Sequence, residues 1–244
     1  VISQRLDEAL VARGLSQSRS RARDAILRGT VWVNGVAARK PSQGVFAQDE
    51  LRIDDVAQRY VSRSALKLLH GLDHFKIDVS GRHALDIGAS TGGFTQVLLE
   101  RGAFHVTAID VGHGQMVDIV ADDPRVTSIE NLNARELTRE HVPENVDLIV
   151  SDVSFISLKL ALPPALHLVG QGAELLALVK PQFEVGREHV GRGGIVSDPL
   201  QHARVCEDIA TFLTRLNWQV QGVIPSPVEG GDGNVEFLLA AVKL

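Results

Sequence analysis

The sequence predicts an α/β protein: a mostly parallel, doubly wound sheet with a reversed last strand, preceded by a small α+β module. Three observations carry this. From Ser62 onward, apolar runs of strand length alternate with helical patterns, as in sheets covered on both faces. A glycine-rich turn, Asp86-Ile-Gly-Ala-Ser-Thr-Gly-Gly-Phe94, separates one such run from a helix, where open α/β sheets bind ligands. The last two runs are joined only by the loop Pro225 to Asn234, so they should pair antiparallel.

The elements follow in order. Leu6, Leu10 and Val11 recur at helical spacing in Arg5–Arg13, which Gly14 closes. Ser18 is a predicted N-cap for a helix from Arg19 to Arg28, closed by Gly29. Val31–Val33, an Asn34-Gly35 turn and Val36–Ala38 read as a hairpin, and Leu51–Ile53 as one more short strand. Residues 1–54 are thus a small module, 55–61 a polar linker and 62–244 the large domain. There, a helix through Ala65, Leu66, Leu68 and Leu69 carries Lys67. Strands are expected at His83–Ile87, His105–Ile109, Val126–Ile129, Val146–Val150, Leu175–Val179, Gln219–Ile224 and Val235–Val242. Helices are expected near Gly93–Arg101, Leu158–Leu168 and Pro199–Leu216.

Composition bounds the function. With 44% hydrophobic and 23% charged residues in 244, the chain is an ordinary globular protein. No apolar run approaches the roughly 18 to 20 residues that span a bilayer. A single cysteine, Cys206, excludes an intrachain disulfide and favours a reducing, cytoplasmic compartment. The net charge of −5 conceals an asymmetry. Residues 1–63 hold 11 Lys and Arg against 7 Asp and Glu, a balance of +4, and the remainder holds 14 against 23, a balance of −9. A basic segment on an acidic chain marks a polyanion-binding module, with Arg5, Arg19, Arg21, Arg23 and Arg28 as its candidate RNA contacts.

In the turn, Gly88, Ala89, Ser90, Thr91, Gly92 and Gly93, with Phe94, would bring backbone N–H groups close to a ligand. A dinucleotide domain is the obvious competitor. Asp86, two residues before the first glycine, places a carboxylate where a pyrophosphate would be repelled and a cationic amino acid attracted. Asp110 ends the next strand and suits a ribose diol. Together with the reversed last strand, these features favour S-adenosylmethionine over NAD. Asn131 and Asn133, after the third strand, could border an adenine or cap the helix near Ala134.

Four separated residues then converge. Asp152 and Lys180 end adjacent strands, Glu236 opens the reversed strand at the same edge, and Lys67 reaches in from the preceding helix. Two lysines beside two carboxylates suit removal of a proton from a sugar hydroxyl. A lysine can take that proton only while neutral, a form that burial and a second ammonium favour. The predicted reaction is S-adenosylmethionine-dependent 2′-O-methylation of ribose in RNA.

The chain resembles the TlyA-type, hemolysin-like family of ribose methyltransferases. The segments that carry the resemblance are Arg5-Leu-Asp7, Val33-Asn-Gly35, Tyr60-Val-Ser-Arg63 with Lys67, Leu85 to Phe94, Asp110-Val-Gly112, Ser151-Asp-Val-Ser-Phe155, Lys180-Pro-Gln-Phe-Glu184 and Gly233-Asn-Val-Glu-Phe237. It implies an N-terminal RNA-binding domain like that of ribosomal protein S four, and a Rossmann-like class I methyltransferase domain of FtsJ type. It also implies ribosomal RNA, or a ribosomal subunit, as partner and cytidine ribose as the methylated group. Two other classes compete: a hemolysin-like membrane-active protein, and an RNA-binding protein whose methyltransferase fold has decayed. The lack of a strongly amphipathic basic helix weighs against the first, and the four intact positions against the second. His70 and His74 lack a third ligand nearby, so no metal is expected. Phe155 and Phe183 could stack a base or pack locally, and Gly186–Gly194 reads as a lid.

Overall fold

The computed structural model describes residues 3–142, 145–230 and 233–244. It contains two compact units, Val1–Tyr60 and Val61–Leu244.

The first unit runs β1 (Gln4–Arg5), α1 (Leu6–Ala12), α2 (Arg19–Arg28), β2 (Val31–Val33), β3 (Val36–Ala37), β4 (Gly44–Val45) and β5 (Leu51–Ile53). Leu6, Leu10, Ala22, Ile26, Val31 and Val45 are buried together as its core. Ser18 caps α2 through the Arg21 N–H, and Gly29 ends it at φ +78°. Asn34 and Gly35, at φ +50° and +77°, make the tight turn between β2 and β3. Arg5 lies outside α1: it is extended and pairs with Gly44. A two-residue strand is too short to leave a periodic signal, so the apolar spacing of the helix runs over it unmarked. Residues 55–61 contain a 3-10 turn, Val56–Arg59, capped by Asp55. Asp55 accepts from Arg28 at 2.6 Å, and Arg21 donates to the carbonyls of Ala57 and Tyr60 at 2.7 Å each.

The second unit runs α3 (Ala65–Phe75), β6 (His83–Ile87), α4 (Gly93–Glu100), β7 (His105–Ile109), α5 (Asp118–Ala121), β8 (Val126–Ile129), β9 (Leu148–Ser151), α6 (Leu158–Ala161), α7 (Pro163–Leu168), β10 (Glu174–Val179), α8 (Pro181–Glu184), α9 (Pro199–Arg215), β11 (Trp218–Pro225) and β12 (Phe237–Lys243). Its strands form one sheet in the order β11-β12-β10-β9-β6-β7-β8. The ladders from β8 to β10 are parallel, and β12 is antiparallel to both of its neighbours. Alternate residues bury both faces. Leu85, Ile87, Leu175 and Val179 pack with Leu158, Leu166, Ile209 and Leu213 of α6, α7 and α9. From the opposite face Leu176 abuts Gly71 of α3 so closely that a Cβ there would lie 2.8 Å away.

The helix expected over Leu158–Leu168 is two short helices instead. Pro163 and Pro164 have no N–H to donate, so the chain breaks and restarts with proline in the first turn of α7.

Candidate active site

The chain leaves β6 for β7 and β8 on one side, then returns to place β9 on the other. The topological switch therefore lies between β6 and β9, and the glycine turn and Asp152 follow those two strands at their carboxyl ends. Gly88 joins them. Its φ is +85°, and a Cβ there would lie 2.8 Å from the carbonyl oxygen of Asp152, so a side chain is excluded by conformation and by space. Gly93 acts through space alone, leaving room for the segment entering α3: a Cβ there would lie 2.6 Å from Ser64 Oγ and 2.9 Å from Ser62 Cβ.

Asp110 is preset by the backbone. Its Oδ2 accepts from the Ser90 N–H at 2.8 Å and its Oδ1 from the Gly112 N–H at 2.7 Å, leaving lone pairs on both oxygens. Asp86 is fully buried beneath the turn rather than lining its open side. Its Oδ2 accepts from Thr95 Oγ1 at 2.7 Å, while Oδ1 has no hydrogen bond among the described residues. Burial, aided by the charges of Asp152 and Asp110, raises its pKa to about 7 against the Thr95 hydrogen bonds. Asn131 is exposed beside His113. Asn133 caps the 3-10 turn Ala134–Glu136, accepting from the Arg135 N–H at 3.1 Å.

The four charged residues stand as two pairs. Lys67 Nζ lies 2.5 Å from Glu236 Oε2, with both side chains almost wholly buried. Lys180 Nζ lies 2.6 Å from Asp152 Oδ1 and donates to Ser154 Oγ at 2.8 Å. Asp152 Oδ1 is buried without an aligned hydrogen bond, so the Lys180–Asp152 approach is a charge contact. Val179 pairs with Phe237 across β10 and β12, which puts Lys180 and Glu236 one step further out at the same sheet edge. Glu236 thus precedes its strand, as Asp152 and Lys180 follow theirs.

A pocket of about 160 Å³ joins the glycine turn to one of these pairs. Gly88 to Thr91 and Phe94 form one wall, Asp152, Ser154 and Lys180 another, and Ser62 and Ser64 border it. A hydroxyl entering this space would meet an amine, a carboxylate and the glycine turn together. Sequence reasoning assigned no role to Ser154; only its spacing of two from Asp152 could have indicated it. Also unforeseen was Glu184, whose carboxylate accepts from Ser157 Oγ at 2.6 Å and from the Leu158 N–H at 2.7 Å, tying α8 to the start of α6. Burial raises the Glu184 pKa. Phe155 is 91% exposed at φ +64° and packs on Phe183 with ring centroids 5.1 Å apart. A bulky side chain held in left-handed backbone costs about 1–3 kcal/mol and is a mark of functional sites. The Gly186–Gly194 segment runs into a fastened stretch: Asn234 accepts from the Val196 N–H and donates to the Gly194 carbonyl, and His202 donates to the Val196 carbonyl.

In the first unit Arg5, Arg19 and Arg23 border a groove with Ser20, Pro41 and Ser42. Asp7 lies at its base, its pKa lowered to about 2 by its hydrogen bonds and charge contacts with Arg5 and Arg19. Arg21 and Arg28 instead fasten residues 55–60, as described above. Among the described residues no group of three or more potential metal ligands occurs, and no helix is long and apolar enough to cross a membrane.

Comparison with known proteins fits this geometry. Residues 60–243 match the FtsJ-like methyltransferase family and residues 4–51 the S4 domain. The chain is 47% identical over 236 residues to the 16S/23S rRNA (cytidine-2′-O)-methyltransferase TlyA of Mycobacterium tuberculosis, covering 96% of this chain and 88% of that protein. It is 38% identical to hemolysin A of Brachyspira hyodysenteriae over 96% of this chain and 98% of that one. A solved hemolysin-like structure from Streptococcus thermophilus superposes with a TM-score of 0.76 at 39% identity, covering 99% of this chain and 88% of that chain.

Proposed function

This chain belongs to the FtsJ-like methyltransferase family, and on that premise we propose that it methylates the 2′-hydroxyl of a cytidine ribose in ribosomal RNA with S-adenosylmethionine as donor. The observation that carries the proposal is the pocket in which Lys180, Asp152 and the Gly88–Thr91 turn face one volume.

The residues present fit the donor. Asp110 offers free lone pairs for a ribose diol, and the turn offers close backbone. When bound, the donor supplies a sulfonium methyl that is already electrophilic. The protein's task is therefore the alcohol, a poor nucleophile until its proton leaves. Lys180 is the base: its Nζ reaches the pocket and would take the 2′ proton as the oxygen attacks. Asp152 holds the resulting ammonium by charge, and the Lys67–Glu236 pair ties α3 to the segment before β12. The first unit binds the RNA backbone through Arg5, Arg19 and Arg23, in keeping with its S4 domain. A ribosomal RNA substrate in turn implies a cytoplasmic protein.

Lys180→Arg tests the reading. Arginine keeps the charge but does not deprotonate near neutral pH. Methylation should fall by about 10² to 10⁴ while donor binding by calorimetry stays near normal. Methylation near the parent rate would remove Lys180 from the role of base.

A further inference from the structure

We propose that Ser154 is a positioning residue for Lys180: its hydroxyl accepts one N–H of the lysine, so that the neutral amine presents its lone pair to the pocket. This rests on the reading of Lys180 as the base.

Two contacts hold the Lys180 nitrogen, and they differ in kind. Asp152 Oδ1 lies at 2.6 Å but without hydrogen-bond alignment, so it attracts charge without fixing direction. Ser154 Oγ accepts a hydrogen bond at 2.8 Å, and hydrogen bonds are directional. A neutral lysine nitrogen is tetrahedral, with one bond to Cε, two N–H groups and a lone pair. With one N–H on Ser154, the Asp152 carboxylate favours the second N–H on its own side and repels the lone pair. The remaining direction opens on the pocket that Ser154, Asp152 and Lys180 line together. In the reaction the hydroxyl O–H would break and its proton join that lone pair, while the oxygen's bond to the methyl carbon replaces the methyl–sulfur bond of the donor, whose electron pair stays on sulfur as a neutral thioether. The ammonium so formed keeps its hydrogen bond to Ser154, with the Asp152 carboxylate beside it as counter-charge.

Ser154 is itself braced. Toward β9 its loop begins at Asp152, whose carbonyl oxygen faces Gly88 with no room for a side chain between them. Toward α6 it ends at Ser157 and Leu158, both donating to Glu184 of α8, the helix that Lys180 precedes. Phe155 on Phe183 adds a third tie between this loop and α8. The acceptor and the base therefore keep a fixed separation, although Ser154 is exposed at the pocket mouth.

The test compares Ser154→Ala, Ser154→Thr and Lys180→Arg in the full chain, with ribosomal RNA as substrate and matched melting temperatures as a folding control. Ser154→Ala should lower kcat roughly 10- to 100-fold with KM and donor affinity within about twofold of the parent. Ser154→Thr, which keeps the hydroxyl, should restore most of the rate. A parent kcat in Ser154→Ala overturns the proposal. So does an equal loss in both Ser154 variants with weakened donor binding, which marks a structural role. If Lys180→Arg is inactive while Ser154→Ala is unimpaired, only the Ser154 inference falls. If Lys180→Arg methylates at close to the parent rate, the base assignment falls and takes this inference with it.

Discussion

Lys67 and Glu236, 169 residues apart in the chain, meet at 2.5 Å with their side chains 8% and 3% exposed. Neither charge is tolerable there alone, because an unpaired buried ion forfeits its hydration with nothing in return. The pair fastens α3 to the segment entering β12, the reversed strand that distinguishes this sheet from a plain dinucleotide fold.

Glu236→Ala should therefore cost about 3–5 kcal/mol of stability, measured by urea unfolding, and abolish methylation. A Lys67→Met, Glu236→Leu double substitution removes both charges and should recover most of that stability without recovering activity. If the double variant methylates RNA, the pair is structural only.

Asp110→Ala should weaken S-adenosylmethionine binding by tenfold or more, from a lost charge-assisted contact worth about 1.5–3 kcal/mol. Part of that loss would come from the turn itself, since Asp110 holds the N–H groups of Ser90 and Gly112. Calorimetry with the methyl donor and with NAD decides the ligand; tighter NAD binding would sink the assignment.

Asp86 gives the fold a pH dependence of defined sign. Its pKa is near 7 when folded against 3.8 as a free side chain, so the folded state keeps a proton that the unfolded chain releases. Its contribution is fully present below about pH 4 and is lost as pH rises toward about 7. Asp7, lowered to about 2, has the opposite sign: its contribution is present above 3.8 and lost as pH falls toward 2. Asp86→Asn should flatten the decline in melting temperature between pH 4 and 7, and an unchanged slope would remove Asp86 as its source.

Arg19→Ala with Arg23→Ala should reduce the salt dependence of RNA affinity, lowering the slope of log K against log salt by about 1 to 2, with donor binding untouched. Arg28→Ala should behave differently. It removes the ion pair with Asp55, whose side chain is 3% exposed, and should lower the stability of the first unit more than it changes the salt slope. Equal salt effects from all three substitutions would refute this division.

The sheet, its reversed end and the glycine turn were legible in the amino-acid sequence, and so were the strand ends at which the four charged residues stand, because these depend on local patterns. Period-two apolar runs mark β6, β7 and β8 to the residue, and Asp152, Lys180 and Glu236 are legible because each adjoins such a run. Short or non-periodic features were not legible: the two-residue β1–β4 ladder, the break at Pro163, and the 3-10 turn over 56–59. Partner choice was beyond local pattern altogether. Four charges at one sheet edge admit several pairings, and tertiary packing selected Lys67 with Glu236 and Lys180 with Asp152. It also decided which arginines border a groove and which fasten the chain, placed Asp86 behind the turn, and brought Ser154 to Lys180. Those outcomes depend on distances between residues far apart in sequence, which burial and close packing set and no local periodicity encodes.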